Sequence, residues 1–151
     1  MTIADKLNEL GIELPEASAP VASYQPLVVH GSMTYVSGQL PFVDGQLVTG
    51  KLGQDIGLER GQAAARACGL MILAQLRAAG LLERVDQVIK LGGFVASVPG
   101  FTDQPRVVNG CSDLMAEVFG DAGRHARSAV GVPVLPLDAA VEVDAIIALK
   151  D

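Results

Sequence analysis

Two charged residues in this 151-residue chain stand in otherwise apolar, β-rich runs. Arg127 heads Arg-Ser-Ala-Val-Gly-Val-Pro-Val, and Glu142 lies within Ala-Val-Glu-Val-Asp-Ala-Ile. An arginine carries a permanently charged fork of donors that grips a carboxylate through two parallel hydrogen bonds. A glutamate nearby can hold or activate a water. Pattern alone leaves a plainer reading open, in which the two residues pair with each other or sit in solvent at a strand edge.

Strand side chains alternate, so Arg127, Ala129, Gly131 and Pro133 share one face, while Ser128, Val130, Val132 and Val134 share the other. Apolarity assigns the valines to the face that helices cover. In the last strand Glu142, Asp144 and Ile146 oppose Val141, Val143, Ala145, Ile147 and Leu149. Arg127 and Glu142 are thereby expected together on the face without helices.

The elements that must position this pair are legible from periodicity and turn chemistry. Two β-rich runs over residues 27–36 flank His30-Gly31-Ser32, predicting a hairpin that ends at Ser37-Gly38-Gln39. Asp44-Gly45 marks a further tight turn before a short strand at 46–48. Ala63, Ala67, Leu70, Met71, Ala74 and Leu76 predict a helix over 59–79, with Gly80 as its stop. A long strand follows over 85–98, with Gly92-Gly93 as an expected bulge or bend. Thr102-Asp103-Gln104-Pro105 opens a second long helix that carries Val107, Cys111, Leu114 and Val118 on one side and closes at Gly120 to Gly123. Strands over 127–134 and 140–149 flank the turn Leu135-Pro136-Leu137-Asp138.

Residues 2–10 predict a short helix with Ile3, Leu7 and Leu10 on one side, and a Pro/Ala/Ser-rich lead-in runs to Pro20. The expected organisation is an N-terminal extension over 1–19 and a single α+β domain over 20–151, in the order β-β-β-α-β-α-β-β. Two helices cannot cover both faces of one sheet, so they are expected on one side, leaving the other face for a partner subunit.

Bulk composition agrees with that need. Half of the residues are hydrophobic, 19% are charged and the mean hydropathy is +0.38, which is apolar for a chain of this size. A net charge of -6 without any Lys/Arg run argues against nucleic acid as a partner. The N-terminus has no secretory signature and no apolar run is long enough to span a bilayer, so a cytoplasmic protein without membrane contact is expected. Cys68 and Cys111 fall inside apolar helical patterns and read as small buried side chains rather than a disulfide. His30 and His125 lack partners at zinc spacing and sit in no nucleophile-base motif, and no glycine-rich phosphate loop occurs.

The segment Arg124-His-Ala-Arg127-Ser-Ala-Val-Gly-Val-Pro-Val-Leu-Pro136-Leu-Asp138-Ala-Ala-Val-Glu142-Val-Asp-Ala-Ile closely resembles the C-terminal signature of the Rid/YjgF family, the reactive-intermediate deaminases. Tyr35-Val-Ser37-Gly38-Gln39-Leu-Pro41 resembles its N-terminal signature, and the resemblance extends over roughly residues 20–149. It implies the fold of the trimeric type of chorismate mutase, with three subunits joining their open sheet faces. It also implies clefts between subunits that bind small carboxylic acids. Active members hydrolyse 2-imino or enamino acids to 2-keto acids and ammonia, without a metal or organic cofactor.

Carried over by motif, Arg127 matches the arginine that holds the substrate carboxylate, and Glu142 the acid that positions or activates water. Ser37 and Gly38 match the cleft wall, Tyr24 a cleft tyrosine and Asn109 a cleft asparagine. A packing tyrosine and a solvated helix asparagine are the plainer readings of the last two. Ala129 stands where many members carry a cysteine, which implies an altered cleft lining, and the N-terminal segment is longer than in compact members. The expected function is imine hydrolysis by a homotrimer. The alternatives are a trimeric binder of small carboxylic or keto acids without turnover and, against the acidic charge, a ribonuclease or translation inhibitor.

Overall fold

Thr2 starts the first helix with a reciprocal cap in the computed structural model, which describes residues 1–20 and 22–151. Its hydroxyl accepts from the Asp5 amide, and the Asp5 carboxylate accepts from the Thr2 amide. This helix, α1 (Ile3–Glu9), is also tied to the main domain: the Glu83 carboxylate accepts from the Ile3 and Ala4 amides at 2.7 and 3.0 Å. Leu7 and Leu14 enter the principal core. The N-terminal segment is therefore packed onto the domain that follows it.

The main sheet has five strands in the order β1-β2-β7-β5-β6. They are β1 (Leu27–His30), β2 (Met33–Gln39), β5 (Val85–Ala96), β6 (Ala126–Val132) and β7 (Val141–Leu149). β1 and β2 form the expected hairpin around Gly31, whose φ of +62° suits glycine. β5 and β6 run parallel, and α3 (Gln104–Phe119) makes the crossover between them.

The expected third strand of the sheet forms differently. β3 (Phe42–Val43) and β4 (Gln46–Leu47) pair only with each other, about Asp44 and Gly45 at φ of 51° and 78°. The run that follows the Asp-Gly turn instead bonds to the segment before β7: the Val48 carbonyl accepts from the Ala140 amide at 3.0 Å, and Thr49 bridges Ala139.

The expected bulge at Gly92-Gly93 also moves. Those glycines pair regularly with Asp144 and Val143 on one side and with Ser128 and Ala129 on the other. They are needed for close approach instead: side chains there would run into the Asp144 carboxylate and into Val108 of α3. The register slips lie at Val85/Gln87, at Val88/Lys90 and at Val36/Gln39. At the last of these Ser37 and Gly38 together face one step of β7, which is a β-bulge inside the Ser-Gly-Gln motif.

α2 (Leu58–Ala78) and α3 cover one face of the sheet, and Val107, Cys111, Leu114 and Val118 are buried as their spacing requires. The helices touch through glycine: a Cβ on Gly110 would overlap the Gln62 backbone carbonyl. The opposite sheet face is uncovered, and its exposed apolar side chains, Val28 at 54% and Tyr35 at 48%, share it with Lys90, Glu142 and Asp144.

Candidate active site

β6 is an edge strand, and its register decides where Arg127 points. Val36, Ala145, Leu91 and Arg127 lie in one row across the sheet, and the first three are buried beneath the helices. Glu142 pairs with Phe94, which pairs with Val130, in a row of opposite facing. Arg127 therefore lies on the helix side and Glu142 on the open side.

This corrects the expectation that the two share the uncovered face with the valines turned inward. Val130 and Val134 are 46% and 61% exposed. The assignment by apolarity failed because apolar side chains occur on both faces of this sheet, so the valines of one strand could not tell the faces apart.

On the helix side, the half-buried Arg127 donates through Nη1 to Asn109 Oδ1 at 2.8 Å and to Ser112 Oγ at 3.1 Å, both on α3. Ser112 Oγ lies 2.8 Å from His125 Nε2, and His125 Nδ1 lies 2.6 Å from the Gly123 carbonyl oxygen. Ala129, next on the same face, packs against the principal core. A depression of about 280 Å³ opens over Ser112, Ala116, His125 and Arg127. Among the described residues Arg127 makes no ion pair with an acid.

On the open side, Glu142 is half-buried and its carboxylate lies against Gly38, where any Cβ would collide with it. Burial raises its pKa above the ordinary glutamate value, and the charge of Asp144 raises it further. Asp144 is raised too, chiefly by burial, against the pull of a Gly92 amide hydrogen bond and of Lys90. Ser37 donates through Oγ to the Gln25 carbonyl at 2.6 Å, which holds the loop carrying Tyr24 against β2. Tyr24 itself is 42% exposed.

The seven residues singled out from the sequence thus fall into two groups, with Arg127, Asn109 and Ala129 on one side and Glu142, Gly38, Ser37 and the loop of Tyr24 on the other. Sequence reading missed Ser112 and His125. A signal existed: Ser112 lies one helical turn from Asn109, and His125 is two residues before Arg127, the spacing of one strand face. A larger concavity of about 900 Å³ lies elsewhere, between residues 13–18, the β3–β4 ribbon and α2, and contains none of these groups.

Among the described residues no cluster of three or more His, Cys, Asp or Glu could hold a metal ion. Nor is any helix of the described residues long and apolar enough to cross a membrane.

A sequence model described as "YjgF/chorismate mutase-like, putative endoribonuclease" matches residues 4–149. The chain belongs to the YjgF family. Its match includes most of the N-terminal segment as well as the sheet and helices, and the fold expected from the resemblance is the one observed. Among curated proteins this YjgF chain is 52% identical to Protein TCP17 of Trypanosoma cruzi, over 99% of this chain and 95% of that one. It is 28% identical to the 2-iminobutanoate/2-iminopropanoate deaminase of Dermatophagoides farinae, over 92% and 95%. Among solved structures, a protein of unknown function from Agrobacterium tumefaciens superposes with a TM-score of 0.90 at 49% identity, covering 98% of this chain and 92% of that one. TdcF of E. coli with bound serine superposes with a TM-score of 0.62 at 28% identity, covering 91% and 94%.

Proposed function

We propose that the protein hydrolyses reactive 2-imino and enamino acids to 2-keto acids and ammonia, in clefts that two copies of the chain complete within a homotrimer. One observation carries this reading: Arg127 is held by neutral partners only, and Glu142 stands on the opposite sheet face with a raised pKa. A small ligand cannot bridge the two faces of one sheet. It can bridge Arg127 of one copy and Glu142 of another when the open face of the second packs beside β6 of the first.

In that cleft Arg127 and Asn109 take the substrate carboxylate, a charge-assisted pairing that orients C2. Glu142 accepts a proton from water as the oxygen adds to C2 of the protonated imine. Glu142 returns that proton to the carbinolamine nitrogen and then takes the hydroxyl proton as the C–N bond breaks, so that ammonia leaves and the keto acid forms. A glutamate whose pKa burial has raised is suited to these transfers. The names of the mite deaminase and of TdcF with bound serine support a small amino-acid-like substrate. The net charge of -6 gives no support to RNA as substrate.

The test is ammonia release from freshly generated 2-iminopropanoate by the wild type, Arg127→Ala, Glu142→Gln and a co-refolded mixture of the two variants. Each variant alone should lose acceleration, and the mixture should regain part of it, because some interfaces then carry an intact Arg127 and an intact Glu142. Loss in both variants without recovery in the mixture would place the site within one subunit. No acceleration by the wild type, together with saturable 2-ketobutyrate binding, would favour a carboxylate-binding protein without turnover.

A further inference from the structure

The hydrogen bonds behind Arg127 have a direction that geometry and donor chemistry settle. A carbonyl oxygen only accepts, so the contact of His125 with Gly123 places a hydrogen on Nδ1. With the ring neutral, Nε2 then presents a lone pair, and the Ser112 hydroxyl must donate to it. Having spent its only hydrogen, Ser112 Oγ turns its lone pairs toward Arg127 and accepts from Nη1. Asn109 Oδ1 takes the other Nη1 hydrogen. Among the described residues nothing pairs with Nε or Nη2.

We infer that Ser112 and His125 are positioning residues that lock Nη1 of Arg127, so that the substrate carboxylate docks side-on to the Nε–Nη2 edge. The inference rests on the carboxylate-binding reading of Arg127 given above. Nη1 and the Nε–Nη2 edge point in different directions on one rigid plane. Holding the first therefore aims the second and removes the entropy of a swinging guanidinium before the ligand arrives. Gly123, which anchors the relay through its carbonyl, is itself fixed: a Cβ there would overlap the Met115 backbone carbonyl of α3. The relay thus refers Arg127 to the helix backbone at two points, through Asn109 and Ser112 directly and through His125 and Gly123 indirectly.

Two measurements on the full-length protein test this. In the first, 2-ketobutyrate binding and the kinetics of 2-iminopropanoate hydrolysis are compared for wild type, Ser112→Ala, His125→Phe and His125→Gln. Ser112→Ala and His125→Phe should raise the 2-ketobutyrate Kd and the KM about ten-fold while kcat changes by less than about two-fold, the size expected for one lost hydrogen bond to a charged group. His125→Gln offers an amide oxygen near the Nε2 position and should restore binding to within about three-fold of wild type. The double variant Ser112→Ala/His125→Phe should be no worse than the weaker single, because both break one chain. Wild-type Kd values in folded Ser112→Ala and His125→Phe would overturn the inference and leave the carboxylate site standing. A wild type that neither binds 2-ketobutyrate nor hydrolyses the imine would overturn both.

The second measurement needs no variant and decides the matter should these fail to fold. Nitrogen-15 NMR of the histidine rings at about pH 8.5 should show His125 as the Nδ1–H tautomer. An Nε2–H tautomer would overturn the inference, since Ser112 would then have no acceptor in that ring.

Discussion

Glu142 lies directly against Gly38: β7 carries its carboxylate over the Ser37–Gly38 bulge of β2, where a side chain of any size would occupy the same space. A glycine in a strand usually weakens it, so its place here is explained by the acid above it. The bulge and the carboxylate form one unit on the open face.

Gly38→Ala should therefore act on the acid rather than on the fold. The far end of the Glu142 side chain can swing aside, so stability should fall by less than about 1 kcal/mol, while kcat/KM for imine hydrolysis falls at least about ten-fold as the carboxylate leaves its place. Thermal melting and steady-state kinetics on one preparation check this. Unchanged kinetics would remove Glu142 from the reaction.

The raised pKa of Glu142 carries a stability sign of its own. Its folded value exceeds the ordinary 4.5, so the folded chain holds this proton more tightly than the unfolded chain does. The contribution is fully present below the ordinary value and is lost as pH rises through the folded one. At about pH 7 the charged carboxylate then costs stability, and Glu142→Gln should raise the Tm there, with the difference shrinking toward about pH 4. A Tm lowered by Glu142→Gln at neutral pH would contradict this.

Gly110→Ala tests how closely the helices must approach. The obstacle to a Cβ is the Gln62 backbone carbonyl, which cannot rotate away. A loss of about 1–3 kcal/mol is expected from overpacking, read as a lower midpoint in urea. Because α3 also carries Asn109 and Ser112, ligand affinity should weaken in the same variant.

Cys68 and Cys111 are both free and buried. Burial pushes the Cys111 thiol up to about 12 and the Cys68 thiol well above its ordinary value. Neither should react with a thiol reagent in the native protein at about pH 8, and both should react once it unfolds, because the thiolate is the nucleophile. Rapid native modification would show an opening that reaches the core.

Much of the fold could be read from the chain. The burial of Val107, Cys111, Leu114 and Val118 on α3, and the extent of α2, follow from a 3.6-residue period carried within each helix's own sequence. The two-residue strands about Asp44-Gly45 were harder, because local sequence encodes a turn but not whether its arms join a larger sheet. The bulge was misplaced for a related reason: Gly92-Gly93 and Ser37-Gly38 look alike as sequence. Only pairing partners show which glycine absorbs an extra residue and which makes room for Asp144 or Val108.

The site divides in the same way. By itself the sequence marked Arg127, Glu142, Gly38 and Asn109 as candidates by residue type, neighbours and motif, though not Ser112 or His125, and alternation separates the two sides of each strand. Which side of β6 meets the helices was decided only by the register of β6 on β5 and by the α3 hydrogen bonds to Arg127. Alternation is a local property of one strand, whereas facing is a relation among strands and helices far apart in the chain. When apolar side chains stand on both sheet faces, no count of them along one strand distinguishes the faces, and only the packed structure does.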